Sequence, residues 1–237
     1  MKNVILALFL IALTSQSFAA EMDLKNLSAD QRKALTIGSV EVTPLENFDK
    51  GTVELPNPGT VAGELNEISI IIDSILAIGK KIWPIIEAGR PVINDKLAPP
   101  VSIVPHLQDA NTGVLYEMEN WSIPKSMSVR VSYKNLFGME VVGFTYTVLF
   151  QYNGSYNNVG QYVTGLAVVA SDIYTAWGFN FDANSELISI ANVGTKYSPV
   201  ASGNIKVSYK VTGKLNEART ASVIYVDGSG RIQLIGQ

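Results

Sequence analysis

The residue types that carry enzyme chemistry are scarce in this chain. It has no cysteine and a single histidine, His106, which follows Pro105 in a stretch where no Ser or Asp motif presents it with a nucleophile. That excludes a thiol nucleophile, a disulfide framework, a Cys/His zinc site and a two-histidine metal centre. The acidic residues never take the spacing of a Ca²⁺-binding loop. Gly228-Ser-Gly230 reads as a hairpin turn and not as a phosphate cradle, because no helix follows it. No catalytic constellation remains, so the sequence predicts a protein that is not an enzyme and that uses no cofactor and no metal. The formal net charge of −3, without clustered Lys and Arg, also argues against nucleic acid as a partner.

Two other kinds of residue could do physical work. The first is aromatic: Tyr146, Tyr152, Tyr156, Tyr162, Tyr174, Trp177, Phe179 and Phe181 crowd one part of the chain, and Tyr152, Tyr156 and Tyr162 flank Asn153-Gly-Ser155. Tyrosine gives a broad apolar face with a hydroxyl at its tip, which suits a lipid headgroup or a pyranose ring. The loop from Gln151 to Tyr162 is therefore the expected recognition site. The second is a run of isoleucines. At 100° per residue, Leu65, Ile68, Ile71, Ile72, Ile75, Leu76, Ile82 and Trp83 share one face, while Asn66, Glu67, Asp73, Ser74, Lys80 and Lys81 lie on the other. That pattern predicts an amphipathic helix over 61–83, ended by Pro84 and about 34 Å long. Its apolar face has two available uses. It could insert into a bilayer in company with other copies, or dock permanently on the rest of the domain.

The elements that would position these groups follow from composition along the chain. Residues 1–19 read as a Sec-type signal peptide, with Lys2, an apolar stretch from Val4 to Thr14, and small residues at Ser17 and Ala19. The expected location is secreted or periplasmic, and the lack of cysteine makes the protein indifferent to redox state. Residues 20–59 form an acidic arm resembling a propeptide or linker, with a helical turn or two over Leu27 to Leu35 opened by Ser28. Residues 60–100 hold the helix and a connector. From residue 101 to 237 the period changes from 3.6 to 2, as in Met127, Val129, Val131 and Tyr133, and in Ile205, Val207, Tyr209 and Val211. Further strands are expected over 101–104, 112–117, 141–152, 160–170, 173–181, 187–193, 222–226 and 232–235. Turns are expected at Asn153-Gly-Ser155, Asp182-Ala-Asn-Ser185, Asn192-Val-Gly194 and Asp227-Gly-Ser-Gly230. The fold class is all-β, an antiparallel β-sandwich preceded by one long amphipathic α-helix.

With these segments in view the chain resembles the actinoporins. Val61-Ala-Gly63 followed by Asp73-Ser-Ile-Leu76 is similar to that family's N-terminal helix. Val104-Pro-His106, Val114-Leu-Tyr116 and Thr147-Val-Leu-Phe150 are similar to the segments that open its sandwich. The resemblance implies a secreted, membrane-binding, pore-forming protein that inserts its N-terminal helix and assembles as a homo-oligomer on the membrane. The chain departs from the family after Phe150, where Gln151-Tyr-Asn-Gly-Ser-Tyr156 replaces a Pro and a dense Trp/Tyr cluster, leaving only tyrosines 152, 156 and 162 to meet a headgroup. The alternative is a non-enzymatic binding module, a lectin or an envelope partner protein, with the helix always docked.

Overall fold

The computed structural model describes residues 24–45, 70–72, 75–79, 82–91, 101–106, 114 and 116–236. The described chain is mostly β. A short helix α1 (Ala29–Ala34) precedes β1 (Ile37–Leu45), β2 (Ile70–Ile72), β3 (Ile75–Ile78), β4 (Ile82–Glu87), β5 (Arg90–Pro91), β6 (Val101–Pro105) and β7 (Met118–Glu119). Then come β8 (Lys125–Asn135), β9 (Glu140–Tyr156), β10 (Val159–Thr175), β11 (Phe179–Asn192), β12 (Ala201–Gly213), β13 (Glu217–Asp227) and β14 (Ile232–Gly236). One antiparallel sheet runs β1-β8-β9-β10-β6-β3-β2, with β7 added to β9, and the other runs β14-β13-β12-β11-β4-β5.

Alternation explains why the long strands pair face to face. On β9, Phe144, Tyr146, Val148 and Phe150 are fully buried. They meet Phe181 of β11 and Tyr209 of β12 across the gap, with ring centroids 4.5 Å apart for Phe144 and Phe181 and 5.5 Å for Phe144 and Tyr209. The core is thus an aromatic layer between two sheets, where offset and edge-on rings add to what burial alone contributes.

The long helix is not present among the described residues. The segment expected to form it contributes three strands instead: β2 pairs with β3, β3 with β6, and β4 with β11. Short apolar runs fit either period, and here isoleucine decides, because its β-branched side chain packs well on a pleated surface and loses rotamer freedom in a helix. Ile75, Leu76, Ala77, Trp83, Ile85 and Ile86 are buried there. Pro84, expected to stop a helix, lies within β4 opposite Asn184, at a position that the two residue pairs of β5 do not reach.

Other boundaries move for local reasons. Ser28 caps α1 as expected, exchanging hydrogen bonds with Gln31 in a capping box. The following chain does not run free as an arm: β1 pairs with β8 from Ile37 opposite Asn135 to Leu45 opposite Ser128. Asp182 to Ser185 is not a turn but the middle of β11, where Asp182 and Asn184 face solvent and Ala183 and Ser185 face inward. The strand expected over 173–181 is divided by a turn at 176–178, in which Gly178 takes φ +90°. Of the strand expected over 112–117, residues 114, 116 and 117 are described, and none lies in a strand. The segment expected to be a signal peptide lies outside the described residues, as do Leu65 and Ile68.

Candidate functional site

The expected recognition loop turns out to be strand. β9 continues through Asn153-Gly-Ser155, and the reversal comes at Asn157 and Asn158, whose φ values of +50° and +59° make the two-residue connection to β10. Two positive φ angles are what a tight hairpin between twisted strands requires, and asparagine tolerates them better than most residues. Asn153 itself has φ +65° within β9, where the pairing register with β10 slips between Tyr162 and Thr164. The strand is bent at this point without ending.

The bend opens a concave site of about 500 Å³ at this end of the sandwich, lined by Asn120, Trp121, Asn153, Ser155, Asn158, Gly160 and Gln161. Short strand β7 positions the first two by pairing Met118 with Tyr156 and Glu119 with Ser155. Asn120 follows at φ +65° and donates from Nδ2 to Ser155 Oγ at 2.9 Å. The Trp121 ring lies directly over Gly154, where an added Cβ would stand 2.3 Å from ring carbons; only glycine admits the ring there. On the opposite wall Gln161 donates from Nε2 to Asn153 Oδ1 at 3.1 Å.

The other sheet braces this arrangement. The Asn153 amide donates to Gly228 O at 2.9 Å, the Gln161 amide to Pro199 O at 2.8 Å, and the Gly228 amide to Ala201 O at 2.8 Å. Gly228 belongs to the turn between β13 and β14, which is organised by the fully buried carboxylate of Asp227. That carboxylate accepts from Tyr225 Oη, Ser229 N and Oγ, and Arg231 N and Nε. Burial would raise the Asp227 carboxyl, but the hydrogen bonds from Ser229, Tyr225 and Arg231 outweigh it and hold it below the usual carboxylate range.

No side chain lining the site is charged. Carboxamides donate and accept at once, so three Asn and one Gln present both polarities beside a serine hydroxyl and an indole. Such a surface matches vicinal hydroxyls on a ring with an apolar face. The contrasting concavity, about 690 Å³ on the second sheet, is lined by Lys206, Lys210, Arg219, Glu87 and Asp182 among others. Lys210 and Arg219 are there tied to Glu217 at 3.0 and 2.5 Å, and Arg219 and Lys210 together hold the Glu217 carboxyl below its ordinary range. Exposed ion pairs of this kind contribute little to stability.

The residues expected to form the site are placed as follows. Tyr162 is 3% exposed and belongs to the core, so it does not present its ring to a ligand. Tyr152 and Tyr156 are half-buried and pack against that core, Tyr152 also lying over Gly230. The concavity overlaps the segment from Gln151 to Tyr162 expected to carry recognition, and Tyr152, Tyr156 and Tyr162 are not among its lining residues. Asn120 and Trp121 lie outside that segment and Gln161 within it; the hydrogen bond from Asn120 to Ser155 and the Trp121 ring over Gly154 bring them to one concavity. Of the proposed inserting face, Ile75, Leu76 and Trp83 are buried in strands, Ile82 is exposed in β4, and Ile71 and Ile72 lie in β2. His106 follows β6 and is exposed. Comparison with family models, with curated proteins and with solved structures gives no match to the chain.

Proposed function

We propose that the protein is a non-enzymatic, exported binding module whose ligand is a neutral carbohydrate held in the site around Trp121. The observation that carries this reading is a concave, uncharged lining of four carboxamides and a hydroxyl beside an indole ring. An anionic ligand would call for Lys or Arg at the site, and a lipid tail for an apolar lining. A sugar asks for paired donors and acceptors around its hydroxyls and an aromatic face for its C–H surface. Asn120, Asn153, Ser155, Asn158 and Gln161 supply the first, and Trp121 the second. The isoleucine strands support the same reading, because Ile75, Ile85 and Ile86 are committed to the core that holds β9 and β10 in place.

Screening the full chain against a panel of neutral and charged oligosaccharides, followed by calorimetry on the best ligand, tests this. Wild type should bind a neutral glycan, and Trp121→Ala should weaken it at least tenfold. Gln161→Ala should do the same by a smaller factor. Absence of any glycan binding by wild type, or full affinity in Trp121→Ala, overturns the reading.

A further inference from the structure

The opposite end of the sandwich carries large apolar side chains on the tips of two turns. Leu136, Phe137 and Met139, in the turn between β8 and β9, are 56%, 47% and 56% exposed, and Trp177, in the turn between β10 and β11, is 73% exposed. The two tips are neighbours, because β9 and β10 pair with Val142 opposite Thr175, and the Ala176 amide donates to Val141 O at 2.7 Å. Buried Leu35 lies beneath them, its Cδ2 at 3.1 Å from where a Cβ on Gly178 would stand, and the Leu136 amide reaches Thr36 O at 3.2 Å.

These tips are held rigidly. The buried Asn135 side chain accepts from the Phe137 and Met139 amides at 3.0 and 3.1 Å and donates to Ala34 O at 3.2 Å. Gly138 completes the reversal at φ +78°. A turn so firmly braced that still points Leu, Phe and Met outward is not apolar by accident of slack packing.

Charge and shape together select the partner. Lys33 stands 5.8 Å from the centre of the Phe137 ring, and the exposed Lys214 lies beside Gly178. Three carboxylates near this end are engaged in ion pairs: Glu140 with Arg130 at 2.8 Å, Glu41 with Lys134 at 2.7 Å, and Glu217 with Lys210 and Arg219. Protruding tips of Leu, Phe, Met and Trp rimmed by lysines fit a soft anionic surface into which they can press, with the indole at headgroup depth. A second copy of the chain would instead need a broad, matching face.

We infer that this end docks on an anionic lipid bilayer, inserting Leu136, Phe137, Met139 and Trp177 to headgroup depth with Lys33 and Lys214 on the phosphates. The site is distinct from the carbohydrate site and does not depend on it. The test is co-sedimentation of the full chain with vesicles of phosphatidylcholine alone and of phosphatidylcholine with 30 mol% phosphatidylglycerol. Wild type should partition onto the anionic vesicles and lose that partitioning at high salt. Phe137→Ser/Trp177→Ser should reduce it at least tenfold, and Lys33→Gln/Lys214→Gln at least threefold, with melting temperature and circular dichroism unchanged in both. Headgroup-depth brominated lipid should quench tryptophan emission in wild type and not in Trp177→Phe. Failure of wild type to bind the anionic vesicles overturns the inference, as does wild-type binding by Phe137→Ser/Trp177→Ser. So does self-association that this double variant abolishes while vesicles go unbound, which would assign the tips to a second copy.

Discussion

The two ends of the sandwich share strands β9 and β10 and are opposite in character. At one end asparagines in left-handed conformation bend the strands into a concave, uncharged site whose polar side chains hold one another. At the other an asparagine also organises the reversal, but its carboxamide is buried and spent on backbone, leaving apolar side chains to project. The difference lies in where the carboxamides point. Turned outward across a hollow, they can exchange their mutual hydrogen bonds for those of a ligand; turned inward, they make a stiff convex tip. A hollow of donors and acceptors fits a small hydroxylated ligand, and a convex apolar tip fits a deformable surface.

The largest effects should come from breaking the brace of the polar end. A Cβ on Gly228 would stand 2.1 Å from Gln161 O, a backbone atom that cannot turn aside. Gly228→Ala should therefore destabilise the protein by about 2–3 kcal/mol, measured by urea unfolding, and abolish glycan binding. Molecules that remain folded should still bind anionic vesicles, since the tips lie at the far end. Loss of both activities in the folded fraction would show that the ends are not independent.

Next in size is Asp227→Asn, which keeps the shape and removes the charge that five donors converge upon. A cost of roughly 2 kcal/mol at neutral pH follows from hydrogen bonds to an ionised acceptor being stronger than neutral ones. The sign with pH is fixed by the lowered folded value. Stability from Asp227 is present above its ordinary value of 3.8 and is lost as pH falls through the lower folded one. Wild type should lose stability below about pH 4, and the variant should lose less. A parallel acid limb in both proteins would deny Asp227 this role.

How much of this could be read in the sequence depends on which contacts decide each element. Ser28 and Gln31 make α1 by contacts three residues apart, and the alternation of Met127 to Tyr133 makes β8 by local pattern; both are legible. The isoleucines of 70–78 carry the spacing of a helix and are strand instead, because β3 pairs with the distant β6 and β2 pairs with β3. Asp182 to Ser185 reads as a turn by composition and is strand because Lys210 to Val207 lie opposite. The concavity overlaps the segment 151–162 that the sequence singles out but is not lined by its tyrosines. Nothing local announces that Trp121 reaches Gly154 or that Gln161 reaches Asn153, since both contacts depend on the register of β7 and β10 against β9.

The core between the two ends gives a control that should act on both alike. Burial pushes the Tyr133 hydroxyl up to about 12 and raises those of Tyr146 and Tyr209 as well. For acids whose folded values are raised, stability is whole below the ordinary value of 10.0 and is lost as pH climbs through the folded values. Unfolding measured at pH 9 and at pH 11.5 should show the loss, and Tyr133→Phe should reduce it. Glycan and vesicle binding should fade together over this range. If one fades well before the other, the stability of that end is local and not that of the shared core.

The smallest expected effect sharpens the comparison most. Phe137 is half exposed and its backbone is fixed by Asn135 regardless of side chain, so Phe137→Ser should change stability by no more than about 0.5 kcal/mol. The Lys33 contact over its ring is at a solvent-exposed site and adds little to that. Glycan affinity should stay within twofold of wild type, because no residue of the tip touches the residues around Trp121. A destabilisation above 1 kcal/mol would instead make Phe137 part of the packing over Leu35, and its exposure would then reflect a structural role. Near-neutrality in stability together with loss of vesicle binding leaves only an external partner to account for four large apolar side chains held out on rigid turns.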